Sequence, residues 1–272
     1  MLPQHLEIIT TPSSDWLFDK ASQCATRMLV ASPYVSPLLQ DLSSRVVKAA
    51  TRVLVTRTDV RDFALGASDI RTLRVLSEKG VSVMTLHGLH AKVYVFDSAY
   101  ALVTSANATH SGLKKNFECG IAVRDVTAVE SLAAAVLTGF GAKSPPEPLS
   151  TDDLASIEKL LPTIKVSVRP STTPREAYDV GPSEETKIEV LNEGNLLASL
   201  SGWQRLTLEG VLESGTAEFR LEDIYRSCLP KAADRYPDNL HPKDKLRQQL
   251  QQLRSLGFVE FLEPGRYRRT TT

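Results

Sequence analysis

Short apolar runs and amphipathic stretches alternate along the first half of the chain. The runs that predict strands, rich in β-branched and aliphatic residues, are Met28–Ala31, Arg52–Thr56 and Val81–Leu86. Helical spacing of apolar positions covers residues 14–27, 37–50 and 69–79. This order predicts an α/β fold over residues 1–144, with a sheet covered by helices.

A strand, a turn and a second strand follow in the same half. The strand-like runs are Lys92–Phe96 and Ala101–Thr104, separated by Asp97-Ser98. Since residues two apart on a strand point to the same face, His90 and Lys92 are expected to share one pocket. Ser105 and Asn107, at the end of the second strand, obey the same rule and are expected to reach that pocket.

These side chains suit chemistry on a phosphodiester bond. A neutral imidazole such as His90 attacks phosphorus if its other nitrogen is held in one tautomer, and a carboxylate such as Glu118 is the usual partner. Glu118 also fits an exposed strand position. Lys92 supplies a point charge, and Ser105 and Asn107 supply hydrogen bonds to the phosphate oxygens. No metal ion or cofactor is needed, so none is predicted.

The spacing of these residues resembles the signature of the phospholipase D superfamily, H-x-K-x4-D followed by G-S-x-N and a later glutamate. The matching positions are His90, Lys92, Asp97, Ser105, Asn107 and Glu118, within one 29-residue window. Thr104 stands where the family usually has glycine, and it adds a side chain where the backbone normally approaches the phosphate. The resemblance implies a phospholipase D-like mixed sheet, a phosphohistidine intermediate on His90 and a mainly structural Asp97.

The signature occurs once in the chain. The chain has three further histidines near or before the motif, His5, His87 and His110. None of them is followed by the lysine, serine and asparagine of the signature. His241-Pro-Lys243 lacks the apolar strand. Superfamily members carry the motif twice, or carry it once and dimerise, and the resemblance implies a second histidine that protonates the leaving oxygen. We therefore predict a homodimer in which His90 of both subunits serves one site.

Simpler interpretations of single residues stay open at this stage. His90 alone fits a satisfied core histidine, and Lys92 with Asp97 fits a salt bridge at a strand end. The i, i+3 pair of His87 and His90 hints at a metal site, but no cysteine or carboxylate completes a ligand set. The doublet Lys114-Lys115 is either a solvated loop or a contact for a polyanion.

The sequence predicts a separate module over residues 201–272. Leu221–Tyr225 opens one helix, and Pro242 begins another that ends at Gly257. The segment that follows reads as two strands turning at Pro264-Gly265. Two helices followed by a hairpin predict a winged helix-turn-helix.

The second helix of this module has two different faces. The leucines expected to face inward are Leu246, Leu250 and Leu253. The residues expected on the outward face are Lys243, Lys245, Arg247, Gln248, Gln249, Gln252 and Arg254. Such donors reach base edges and phosphates, so double-stranded DNA is the predicted partner. A solvated helix that contacts another protein is the alternative.

The sequence of this module resembles the Dam-replacing-protein winged helix. The resemblance is carried by Lys243-Asp-Lys-Leu-Arg-Gln-Gln-Leu, continuing to Gly257-Phe-Val-Glu-Phe. That module lies at the C-terminus of methyladenine-directed restriction endonucleases of the DpnI type. The resemblance spans Gly202 to Arg269. It implies sequence-specific binding of duplex DNA, with the helix in the major groove. The residues it places on phosphates are Arg266, Arg268 and Arg269.

Residues 145–200 predict a proline-rich acidic connector, with 10 Asp and Glu against 5 Lys and Arg. A short helix from Thr151 to about Leu161 and one strand at Lys165–Arg169 are expected in it. The connector could also cover a basic cleft. The whole chain has no net charge, but from Arg226 onward 10 Lys and Arg face 5 Asp and Glu. A basic end on a neutral chain is typical of a local polyanion-binding surface.

The chain shows no basic leader followed by an apolar run, and no stretch near the roughly eighteen apolar residues of a membrane span. The sequence therefore predicts a cytoplasmic protein without membrane contact. Its three cysteines are Cys24, Cys119 and Cys228. An odd number in apolar surroundings is typical of reduced packing residues.

Together the two halves predict a metal-independent DNA endonuclease of the restriction type. Adenine-methylated DNA is a candidate target by resemblance. One alternative is a DNA-binding regulator that uses the phospholipase D-like fold only to dimerise. Another is a lipid hydrolase or phosphatidyl transferase, which fits the motif but gives no reason for the winged helix.

Overall fold

The computed structural model describes residues 3–142, 145–168, 186–191 and 193–270. The chain divides into two compact units, one of Met1–Thr58 with Gly66–Leu154 and one of Asp59–Leu65 with Ala155–Thr272. The connector expected over 145–200 is thus shared between the two units and does not stand as a third part.

Helices and strands alternate through the first part of the chain, as the apolar pattern predicts. In order they are β1 (Leu6–Thr10), α1 (Ser14–Gln23), β2 (Arg27–Ala31), α2 (Leu38–Arg45), β3 (Thr51–Thr56), α3 (Val60–Ala64), α4 (Ile70–Glu78), β4 (Ser82–Thr85), β5 (Val93–Phe96), β6 (Tyr100–Thr104), α5 (His110–Lys114), β7 (Cys119–Val123), α6 (Val126–Thr138), β8 (Glu147–Pro148) and α7 (Thr151–Leu160). The predicted α/β class is confirmed.

The first unit contains one eight-stranded mixed sheet in the order β1-β7-β6-β5-β2-β3-β4-β8. β2, β3 and β4 run parallel, and β5, β6, β7 and β1 continue the sheet in antiparallel pairs. The carboxyl ends of β1, β2, β3, β4 and β6 therefore lie at the same edge as the amino ends of β5 and β7. We call this edge the upper edge.

Helix α6 covers one face of the sheet. Its buried positions Val129, Ala133 and Val136 join a core with Leu29 and Val95 of the sheet. Asp125 begins this helix by accepting a hydrogen bond from the Ala128 amide, and Gly139 ends it in the left-handed conformation at φ +83°. The helix thus starts and stops where the sequence supplies its caps.

The proline-rich stretch does not form a plain linker. Glu147 and Pro148 pair antiparallel with Thr85 and Met84 of β4 and add an edge strand to the sheet. Proline is tolerated there because an edge strand leaves one row of backbone groups without a ladder partner. The sequence did not predict this strand, because proline is otherwise rare in strands.

The second unit contains α3, a 3-10 turn and the C-terminal elements. They are the turn at Leu161–Thr163, β9 (Ile164–Val168), β10 (Thr186–Val190), α8 (Glu193–Ser199), α9 (Gly202–Glu213), β11 (Glu218–Arg220), α10 (Leu221–Arg235), α11 (Pro242–Ser255), β12 (Val259–Glu263) and β13 (Arg266–Arg269). β9 agrees with the predicted strand as far as residue 168, and Arg169 lies outside the described residues. β10, α8, α9 and β11 were not predicted.

The last elements form the expected helix-turn-helix with a wing. α9, α10 and α11 pack against one another, and β11, β13 and β12 make a small antiparallel sheet. Leu246, Leu250 and Leu253 are completely buried, as predicted. Gly257 ends α11 at φ +81°, and Gly265 turns the hairpin at φ +78°.

Candidate active site and nucleic-acid interface

The upper edge of the sheet brings the predicted catalytic residues together. His90 and Lys92 lie in the extended segment just before β5. Ser105 and Asn107 follow β6, and Glu118 immediately precedes β7. Because the amino ends of β5 and β7 and the carboxyl end of β6 meet at this edge, three separate segments deliver their side chains to one place.

The closest pair in this group is His90 and Lys92. The Nζ of Lys92 lies 3.4 Å from Nδ1 of His90 and donates to the His90 carbonyl at 2.8 Å. The lysine is buried, whereas the imidazole is exposed. The Lys92 ammonium lowers the pKa of His90, and burial and the charge of Arg57 lower it further. The lowered pKa favours the neutral form of the imidazole.

Ser105 and Glu118 form a second pair. The Ser105 hydroxyl donates to Oε2 of Glu118, and the Asn116 side-chain amide lies 3.4 Å from Oε1. Thr11, just after β1, holds the backbone of Asn116 and Glu118 in place. Its hydroxyl donates to the Asn116 carbonyl at 2.6 Å and accepts from the Glu118 amide at 2.9 Å. The carboxylate is thus fixed in position at the upper edge.

The expected contact between Glu118 and the His90 imidazole is not made within the described part of this chain. The carboxylate instead accepts from Ser105 and Asn116, and Nδ1 of His90 faces Lys92. The reason is local: Ser105 continues the pairing of β6 with β7 opposite Cys119, next to Glu118, so its hydroxyl lies within hydrogen-bond reach of the carboxylate. The sequence pattern alone could not rank these two partners.

Thr104, at the position where the phospholipase D signature has glycine, packs against the neighbouring strand. Its side chain lies over Gly120, its direct partner on β7. Its hydroxyl donates to the Cys119 carbonyl at 3.1 Å and accepts from the Ala106 amide at 3.2 Å. The departure from the glycine of the phospholipase D signature is therefore accommodated by a glycine on the neighbouring strand.

Asp97 lies at the opposite edge, at the far end of β5 from Lys92. Five residues of strand separate the two, about 16 Å, so the salt bridge considered for this pair does not form. Burial would raise the pKa of the Asp97 carboxyl, but hydrogen bonds from the backbone of Ala25 and Arg27 and from Thr26 hold it well below its ordinary value. Asp97 ties the β5–β6 turn to the start of β2.

Two further residues at the upper edge escaped the sequence reasoning. Arg57 follows β3, and its Nη2 donates to the Tyr34 hydroxyl at 2.7 Å. Its guanidinium lies 5.1 Å from the centre of the Tyr34 ring. A basic residue directly after a parallel strand is a signal for a ligand site, because ligands collect at the carboxyl ends of such strands. Arg57 adds a second cation near His90.

Among the residues that the structure describes, no three His, Cys, Asp or Glu side chains come together in a way that could hold a metal ion. The i, i+3 pair of His87 and His90 gains no third ligand there. Within the same ranges, no helix is both long enough and apolar enough to cross a membrane.

The outward face of α11 is narrower than predicted. Lys243, Arg247 and Gln248 are exposed, whereas Gln249 and Gln252 are buried, at 5% and 7% exposure. The helix packs against α9, α10 and β12 and so buries a wider arc than its leucine stripe suggests. The prediction that these two glutamines reach DNA is therefore wrong. Lys245 and Arg254 are half-buried.

The wing arginines are already paired with acids. Arg266 contacts Glu218 at 3.1 Å and Glu263 at 2.9 Å, and Arg268 contacts Glu218 at 2.9 Å and Glu260 at 3.3 Å. Hydrogen bonds from Arg268 lower the pKa of Glu218. All of these groups are exposed, so the pairs are open to exchange with an incoming anion.

Comparison with known families agrees with this geometry. Residues 17–136 match the family described as cardiolipin synthase, PLD-like domain, and residues 199–269 match the Dam-replacing HTH domain. The chain joins a phospholipase D-like domain to a Dam-replacing helix-turn-helix domain. Both family resemblances read from the sequence are thereby confirmed, and so is the fold class of a mixed sheet with a C-terminal helix-turn-helix.

Two solved structures are similar to about half of the chain. Nuc from Salmonella typhimurium, a phospholipase D family member, is similar at 15% identity and a TM-score of 0.43, over 53% of this chain and 97% of that one. NucT from Helicobacter pylori is similar at 13% identity and a TM-score of 0.39, over 47% and 91%. At such distance we base no functional argument on them. No curated protein matches the chain.

Proposed function

We propose that this protein is a DNA endonuclease in which His90 attacks phosphorus at a site shared by two subunits. The observation that supports it most is the arrangement at the upper edge. An exposed imidazole lies 3.4 Å from the buried Lys92 ammonium, beside Ser105, Asn107 and Glu118, in a phospholipase D-like domain. The same chain carries a helix-turn-helix of the Dam-replacing type.

The proposed reaction proceeds in two displacements. The neutral imidazole of His90 forms a bond to phosphorus, and the bond from phosphorus to the leaving oxygen breaks. A second imidazole, protonated, gives its proton to that oxygen. Water then attacks phosphorus and gives a proton to the second imidazole, while the bond from phosphorus to the His90 nitrogen breaks. Lys92 and Arg57, with the Asn107 amide, stabilise the charge on the phosphate oxygens, so the reaction needs no metal ion.

The second imidazole is proposed to be His90 of another copy of the chain. An exposed apolar row on the face of the sheet opposite the Lys92 side chain is the proposed dimer contact. Ile8, Ile121 and Val103 are direct partners across β1, β7 and β6, so they share one face of the sheet. They are 56%, 46% and 41% exposed. An exposed cross-strand row of aliphatic side chains is typical of a protein–protein contact.

The winged helix is proposed to read the DNA site. Lys243, Arg247 and Gln248 lie on the exposed face of α11 and suit contacts to base edges and phosphates. Arg266, Arg268 and Arg269 of the wing are proposed to bind phosphates, the first two after exchanging their glutamate partners. A restriction-type, sequence-specific activity follows from this design, with adenine-methylated sites as candidate targets.

Cleavage of plasmid DNA in the presence of a chelator tests the proposal. Methylated and unmethylated plasmids are incubated with the wild-type protein and with His90→Ala. Discrete fragments that disappear in the variant support the endonuclease. Binding without cleavage would favour the DNA-binding regulator, and hydrolysis of phospholipid vesicles without DNA cleavage would favour the lipid enzyme.

Sedimentation tests the dimer. Ile121→Asp is expected to give an inactive monomer, because a charge in the apolar row disfavours its burial. Val126→Asp is the matched control, since Val126 is 58% exposed at the start of α6 and outside the row. An active monomer of the wild-type protein would contradict the shared site.

A further inference from the structure

A pocket of about 360 Å³ opens beside His90. The displacement at phosphorus does not use it. Two short segments line the pocket, residues 86–91 between β4 and β5 and residues 139–142 after α6. Its size falls within the range of sites that bind small organic groups, about 300–1,000 Å³. Since His90 itself is part of the lining, whatever enters this pocket lies next to the reacting phosphate.

One aromatic side chain is presented to the pocket by an unusual backbone. Phe140 has φ +55°, between Gly139 at +83° and Gly141 at +75°. Glycine adopts this left-handed region freely, but a bulky residue there is an outlier. The Phe140 amide donates to the Ala135 carbonyl at 2.6 Å, so the conformation is held by the end of α6. Strain of this kind concentrates at sites that position a side chain for function.

The chemistry of the lining fits a flat, uncharged ring. No lysine, arginine, aspartate or glutamate is among the residues that line the pocket, all of which the structure describes, so a second phosphate is not the expected occupant. Phe140 is 38% exposed and offers a ring face. His87 and His90 supply the polar side chains of the lining, and His87 is exposed. Aromatic stacking with one polar edge contact is how proteins hold a single nucleobase.

We propose that this pocket binds the nucleobase adjacent to the scissile phosphate, stacked on Phe140 and contacted at its edge by His87. The assignment rests on the proposed nuclease function and names a subsite within it. A base in this pocket has left the stack of its neighbours, so the subsite favours substrates in which that base is unpaired or easily unpaired.

Three p-nitrophenyl phosphodiesters test the subsite, because they share one leaving group and differ only in the other ester. They are thymidine 5′-(p-nitrophenyl phosphate), hexyl p-nitrophenyl phosphate and methyl p-nitrophenyl phosphate. The ratio of kcat/KM for the thymidine ester over the methyl ester is measured for wild type and Phe140→Ala. Phe140→Tyr keeps the ring, and Leu137→Ala is the matched control, since Leu137 lies on the same helix end at 41% exposure but outside the pocket.

Wild type, Leu137→Ala and Phe140→Tyr are expected to prefer the thymidine ester by roughly 10-fold, the scale of base stacking on an aromatic ring. Phe140→Ala is expected to lose that preference. Equal rates for the three esters in wild type would overturn the subsite. Faster hydrolysis of the hexyl ester would assign the pocket to an alkyl chain and also overturn it.

Binding of thymidine 5′-monophosphate separates the subsite from the nuclease proposal. In NMR spectra of the nucleotide, the full-length wild-type protein is expected to broaden the base protons, and Phe140→Ala is expected not to. Deoxyribose 5-phosphate is the control without a base. If wild type hydrolyses none of the esters but still broadens the base protons through Phe140, the nuclease proposal fails and the subsite stands. If neither effect occurs, both fail.

Discussion

Replacing Gly120 by alanine places a methyl group in the space that Thr104 occupies. The new Cβ would lie 2.7 Å from Cβ of Thr104, 2.9 Å from its hydroxyl oxygen and 2.7 Å from the Val103 carbonyl oxygen. Overpacking of this kind costs roughly 1–3 kcal/mol. Alanine loses less chain entropy than glycine in a strand, which offsets about 0.5–1 kcal/mol. Gly120→Ala is therefore expected to destabilise the first unit by about 1 kcal/mol, and by at most about 2.5 kcal/mol.

A double-mutant cycle with Thr104→Gly separates the two parts of this clash. The second substitution removes the contacts with the Thr104 side chain and leaves only the contact with the Val103 carbonyl. Thr104→Gly alone costs the hydrogen bonds to Cys119 and Ala106. The double variant should be more stable than the sum of the single changes predicts, by about 0.5–1 kcal/mol.

Thermal unfolding of the four proteins, followed by circular dichroism, measures the cycle. Each kcal/mol of destabilisation is expected to lower Tm by about 2–4 °C. Strictly additive changes would show that Thr104 does not lie over Gly120. Cleavage by Thr104→Gly adds a functional check, because the Thr104 hydroxyl bonds to the backbone of Cys119 and Ala106, and its loss is expected to leave activity intact. A collapse of cleavage in this variant would place Thr104 in the site and refute the reasoning.

Three further outcomes follow from the site and the wing. Because the Lys92 ammonium lowers the pKa of His90, the NMR titration midpoint of His90 should lie below the ordinary 6.5 and rise in Lys92→Met, and an unchanged midpoint would remove this electrostatic account. Gln252→Leu should stabilise the protein and leave DNA affinity unchanged, because Gln252 Oε1 is buried without a hydrogen-bond partner among the described residues. Gln248→Ala should instead weaken the preference for the target sequence by on the order of 1–3 kcal/mol. Glu218→Gln should raise DNA affinity and steepen its dependence on salt, because Glu218 neutralises both Arg266 and Arg268; unaltered binding would exclude the wing from the phosphate contacts.

The apolar pattern predicted most of the first unit because its elements are locally encoded. β-Branched runs predicted the strands from β2 to β6, and the spacing of His90 and Lys92 predicted that these two side chains would lie close together. What the pattern lacked was sheet order. Only the order of strands shows that Arg57, at the end of β3, lies at the same edge as His90.

Pairing between distant segments also explains the predictions that were wrong. Gln249 and Gln252 look exposed on a leucine-zipper-like pattern, but a helix packed against two others and a strand buries more than its leucines. The sequence also did not show that Arg266 and Arg268 pair with Glu218, which is 48 and 50 residues away. Glu147 and Pro148 look like a linker because proline masks a strand at the edge of a sheet.

A covalent adduct on His90 tests the central claim most directly. The wild-type protein is mixed with cleavable DNA in chelator and quenched in alkali, because phosphohistidine is labile in acid, and its peptides are examined by mass spectrometry. The account predicts a nucleotide linked through phosphorus to the imidazole of His90 and no adduct in His90→Ala. Cleavage that persists in His90→Ala, or an adduct on another residue, would contradict it.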